Sequence, residues 1–92
     1  MTVNDNNRGI LGRLRQAIEA FHSGEIGMDD AQAMLRSSAD LLENDGSGAT
    51  ELVRLAEADI EEIRFTRLLD EQRPAVAFRL DALLESLGGE AS

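Results

Sequence analysis

The chain predicts an all-α protein, a compact bundle of three or four helices, on three observations. Apolar residues recur at three- and four-residue spacing along most of its length. Val-rich alternating runs with hairpin turns are missing. The stretches HSG and NDGSG and the single proline divide the pattern into helix-sized pieces. A length of 92 residues supports one core, not two. Hydrophobic residues make up 42% and aromatics only 3%, all Phe, so that core must be aliphatic.

Residues 1–7 are polar and read as a disordered lead-in, with Asn7 placed to cap the first helix. Over residues 8–22, Ile10, Leu14, Ala17, Ile18 and Phe21 form one stripe with Leu11 at its edge. Gly24 suits the left-handed turn that ends this helix. His22, the only histidine, is expected to be a surface group at the helix end. The second helix begins near Met28, where Asp29 and Gln32 have capping-box spacing. Ala31, Met34, Leu35, Leu41 and Leu42 form its apolar face, and Ile26 staples the preceding turn. Thr50 is the expected cap of the third helix, whose stripe is Leu52, Leu55, Ala56, Ile60 and Ile63. Beyond Arg64 the apolar positions Phe65, Leu68 and Leu69 move to nearly the opposite side.

Proline starts or kinks helices, so the last helix is expected to start or kink at Pro74. It carries Val76, Leu80, Leu83, Leu84 and Leu87 and closes at Gly88–Gly89. The bundle is expected to span residues 8–89, with 90–92 a disordered tail. If the helix continues through Pro74, then Phe65, Leu69, Val76 and Leu80 share a face with Leu83 and Leu87. That face either returns onto the first two helices or forms a seam for a second copy, giving a homodimer.

The charge narrows the function. The net charge is −9, and every basic residue is Arg. Affinity for phosphates comes from positive surface, so nucleic acid and anionic membranes are not expected partners, while a basic protein is. No apolar run approaches the ~20 residues of a membrane span. The polar N-terminus lacks a signal-peptide apolar region. With the absence of cysteine, this favours the cytoplasm.

The stretch LLENDGSGATELV invites comparison with a calcium loop. Setting Gly46 at the invariant glycine puts Leu41 and Leu52 at the first and last ligand positions. Setting Gly48 there puts Arg54 where a carboxylate is required. The stretch is therefore a turn, not a metal site. Glu57 and Glu61 lie one turn apart, as in di-iron bundles, but the Glu-x-x-His partner motif is missing. No serine has a nucleophile context and no glycine loop precedes a helix to cradle phosphate. The expectation is a protein that is not an enzyme, with no cofactor and no metal. The acids Glu51, Glu57, Glu61 and Glu62 are expected to face outward and meet a basic partner. Arg8, Arg13 and Arg15 oppose the first helix's dipole and are expected to pair with acids such as Glu19 or with an acidic neighbouring helix; the alternative is a small docking patch for a partner. Asp59 falls at the edge of the third stripe, where an Arg is expected to satisfy it; the alternative is that it marks an interface with a partner.

The phrases FHSGEIGMDDAQAML and EADIEEIRFTRLL resemble small acidic helical proteins of actinobacteria. Those have a Phe-x-x-Gly-Glu-Ile turn between two helices and an acidic third helix. The Trp and Tyr they carry on that helix are absent here. Some of them look like immunity or antitoxin proteins, so the resemblance implies a non-enzymatic module that neutralises a basic partner. A self-assembling structural or regulatory subunit is the alternative.

Overall fold

Four helices follow one another in the computed structural model: α1 (Asp5–His22), α2 (Met28–Leu41), α3 (Ala49–Thr66) and α4 (Leu69–Ala91). It describes residues 4–91, with side chains through residue 88, and no strand occurs among them. Helix α3 packs along both α2 and α4, while α1 closes the bundle against α2 and, over a shorter length, α4. Ion pairs from Asp29 to Arg64, Arg36 to Glu57 and Asp40 to Arg54 run in opposite chain directions, so α2 and α3 are antiparallel.

The ends of the helices differ from expectation for local reasons. Asn4, not Asn7, caps α1: its side-chain oxygen accepts from the Asn7 amide at 2.8 Å. The expected lead-in is therefore helical from Asp5, and residues 1–3 lie outside the described residues. At the other end Gly24 (φ 86°) takes the expected left-handed turn. Its amide donates to the Phe21 carbonyl and that of Glu25 to the Ala20 carbonyl, satisfying two orphan acceptors. Gly27 caps α2, and Asp30 supplies the carboxylate that accepts from its amide at 3.4 Å. The expected Asp29–Gln32 box does not form, because Gln32 is buried and reaches α3. Gly48 (φ 78°) precedes α3 in place of Thr50, and the Ser47 hydroxyl accepts from the Ala49 amide.

Helix α4 begins at Leu69, not at Pro74, and runs through the proline. A proline there deprives one carbonyl, that of Asp70, of its helical donor. Asp70 is exposed, so water can reach it. The helical backbone continues past Gly88–Gly89 through the expected tail to Ala91; Ser92 lies outside the described residues. Gln72, whose polarity interrupts the apolar spacing, donates from its amide nitrogen to the carbonyls of Arg64 and Arg67 at the end of α3.

The core takes Ile10, Leu14, Ile18 and Phe21 from α1 and Ala31, Leu35 and Ala39 from α2. Helix α3 contributes Ala49, Val53, Ala56 and Ile60, and α4 contributes Val76, Leu80, Leu83 and Leu87. Stripes on α1 and α4 match the sequence reading. On α3 the stripe is turned: Leu55 is exposed and Leu52 and Ile63 only flank the core. The cause is that α3 has three occupied sides. Leu52, Asp59 and Ile63 lie along one row, and Asp59 meets Arg79 of α4 at 2.7 Å. Glu57 and Arg64 face α2. The remaining row points to the centre, where the small Ala49 and Ala56 permit close helix approach. On α2, Leu41 is likewise exposed, at the helix's last position.

Candidate interaction surface

Two polar constructions tie the helices together. The first joins the start of α1 to the loop between α2 and α3. Asn7 is fully buried at the third helical position. Its amide nitrogen donates to the Glu43 carbonyl at 2.8 Å and to Asp45 Oδ2 at 2.9 Å, and its oxygen accepts from the Glu43 amide at 2.8 Å. Asp45 also accepts from the Asn4 amide and from the amide and hydroxyl of Ser47. The Ser47 hydroxyl, the Asn4 and Ser47 amides and Asn7 hold the Asp45 carboxyl well below the usual carboxylate range. This carboxylate organises the turn, as its four protein donors show. Among the described residues no group of three or more His, Asp or Glu is gathered as a metal site.

The second construction lies between α2 and α3. Gln32 donates to Glu57 Oε1 at 3.1 Å and Arg36 donates to the same oxygen at 2.7 Å. Arg64 donates to Gln32 Oε1 and reaches Asp29. Burial tends to raise the Glu57 carboxyl, but the hydrogen bonds from Arg36 and Gln32 outweigh it and the net shift is downward. The Arg36 guanidinium is correspondingly raised by its bond to Glu57.

These contacts reassign several candidates. Glu57 does not face outward: its side chain is 17% exposed and engaged by α2. Glu51, Glu61 and Glu62 are exposed. Val76 and Leu80 are fully buried in the core and cannot form a seam, whereas Phe65 and Leu69 stand out at 83% and 80% exposure. Asp59 meets an Arg as expected, Arg79 of α4. His22 sits in the last turn of α1, with Nε2 2.9 Å from Asp81. Arg8 pairs with Asp5, but neither Arg13 nor Arg15 forms an ion pair among the described residues.

The surface that emerges is the corner where α3 turns into α4. Phe65, Leu68 (68% exposed) and Leu69 follow one another there on the outside. Two of the nearby cations are engaged by the fold, although Arg73 remains exposed. Arg64 is tied to Gln32 and Asp29, and Arg73 lies 4.1 Å from the Phe21 ring centroid and donates to the Phe21 carbonyl. Glu61, Glu62, Asp70 and Glu71 form no ion pair among the described residues, though Glu61 acts on Arg36 at longer range. The corner is thus apolar at its centre and predominantly acidic at its rim, with Arg67 the one neighbouring cation that forms no ion pair or ring contact among the described residues. Sequence spacing registered Phe65 and Leu69 but assigned them to a face that is mostly core. It took Asn7 and Gln32 for capping residues, whereas both tie separate segments together, and it gave Asp45 no role beyond the turn. The turn composition of NDGSG marked the loop but not the carboxylate at its centre.

No helix among the described residues is long and apolar enough to cross a membrane. Comparison with family models, with curated proteins and with solved structures gives no match.

Proposed function

We propose that this protein is a non-enzymatic binding module for a basic protein partner, working in the cytoplasm in the manner of an immunity or antitoxin protein. One observation carries the reading: three exposed apolar side chains at the α3–α4 corner are ringed by acids whose neighbouring cations are mostly engaged elsewhere. Specific interfaces combine an apolar centre with a polar rim, and complementary charge raises the association rate. Of the acids expected to meet the partner, Glu61 and Glu62 border this corner, Glu51 lies at the far end of α3, and Glu57 supports the fold instead.

The test is the salt dependence of association with a basic partner recovered by affinity capture. Raising salt from about 0.01 M to 1 M shortens the screening length from ~30 to ~3 Å. The association rate should fall steeply while dissociation changes little. A partner whose association is indifferent to salt would refute the charge-steered reading.

Self-assembly is the second reading, favoured by the exposure of Phe65 and Leu69. The burial of Val76 and Leu80 shortens any such seam, and the acidic rim would face its own copy. Sedimentation velocity over a range of concentrations separates the two.

A further inference from the structure

We propose that the cleft beside the α3–α4 corner receives an arginine side chain of the partner, stacked on Phe65 and paired with Glu61. This rests on the reading of a basic partner and says where and how its charge is met. The cleft, about 370 Å³, is lined by Gln32, Glu61, Arg64, Phe65 and Gln72, from α2, α3 and α4. Glu61 and Phe65 are four residues apart on one helix, so a carboxylate and an aromatic ring stand side by side along it.

An arginine answers both groups at once. Its planar guanidinium stacks on an aromatic face and pairs edge-on with a carboxylate in its own plane, which a lysine ammonium does less well. The chain's own cation in the cleft does not fill this role. Arg64 donates to Gln32 at 2.8 Å and pairs with Asp29 at 2.5 Å, so its charge is neutralised toward α2. Gln32 spends its amide nitrogen on Glu57 and its oxygen on Arg64. Gln72 uses its nitrogen on the end of α3 and keeps its oxygen as an acceptor. Leu68 and Leu69 extend the apolar surface beside Phe65 for the residues flanking the incoming arginine. A phosphate-bearing occupant is disfavoured by Glu61, Glu62, Asp70 and Glu71, and a second copy would bring the same acids to the same place.

The test uses the full chain, labelled with nitrogen-15, titrated at low salt with the capped tripeptide Leu-Arg-Leu and with Leu-Lys-Leu and Leu-Glu-Leu. The arginine peptide should shift amides over residues 61–72 and the side-chain amides of Gln32 and Gln72, saturably and more tightly than the lysine peptide. The glutamate peptide should do nothing. Phe65→Ala and Glu61→Gln should each weaken binding about two- to fivefold, as expected for an exposed cation–π contact or ion pair. Both side chains are exposed, so neither change should unfold the protein. Glu85→Gln, a distant exposed acid, should have no effect. Shifts spread over all acidic faces, with Glu61→Gln no worse than Glu85→Gln, would overturn this site and leave the basic-partner reading standing. No response to either cationic peptide would remove both. Concentration-dependent broadening at the corner without peptide would assign the surface to a second copy and overturn the proposal.

Discussion

Asn7 makes three hydrogen bonds from a fully buried position, so replacing it should be costly. Asn7→Ala removes two donated hydrogen bonds and one accepted bond, and it leaves the Glu43 amide and carbonyl without their Asn7 partner. At about 1 kcal/mol per bond, the loss would be about 3 kcal/mol; water reaching the exposed Glu43 lowers this to about 2–3 kcal/mol. A domain of this size has only about 5–14 kcal/mol in all, so the effect is easily read. Urea unfolding followed by circular dichroism measures it, with the slope expected to stay constant. Asn7→Asp sharpens the test. It keeps the shape and one acceptor but sets a carboxylate where Nδ2 lies 2.9 Å from Asp45 Oδ2. At neutral pH it should be less stable than Asn7→Ala, and it should recover as acid protonates one of the two carboxyls. A loss below about 0.5 kcal/mol for Asn7→Ala, the range of an ordinary surface change, would refute the reasoning. So would Asn7→Asp matching or exceeding Asn7→Ala at neutral pH.

The remaining predictions concern acid stability, the core and the proline. The folded Glu57 carboxyl lies below its ordinary 4.5, so its contribution is complete above that pH and is lost as pH falls through the folded value. Glu57→Gln should therefore flatten the acid limb of stability; parallel acid limbs in the two proteins would show that the Glu57 contacts carry no linkage. Leu80→Ala should cost about 2–5 kcal/mol and Leu80→Glu should unfold the chain, whereas Leu69→Glu should stay within about 0.5 kcal/mol, all read from urea midpoints. Pro74→Ala restores a helical donor for Asp70 and should stabilise by about 1–2 kcal/mol after allowing for a more flexible unfolded chain. A lower melting temperature for that variant would mean the proline fits α4 without penalty.

How much of this could be seen in the residue order depends on the range of the forces involved. Helix periodicity is local, so the stripes of α1 and α4 and the left-handed Gly24 were legible. The face of α3 was not. Large leucines dominate its pattern, yet the bundle centre is taken by Ala49, Val53, Ala56 and Ile60, because α2 and α4 occupy the rows on either side. The role of Glu57 was hidden for the same reason: a glutamate on a charged helix looks solvated until α2 brings Gln32 and Arg36 to it.

Local chemistry thus settles that this chain is helical, aliphatic at heart and strongly acidic. Assembly settles which acids remain at the surface and which leucines stay outside. Hydrogen-bond partners distant along the chain, such as Asn7 with Asp45 and Glu57 with Arg36, meet only when the helices pack. The same packing engages Arg64 with α2 and Arg73 with Phe21, leaving Phe65, Leu68 and Leu69 exposed among acids.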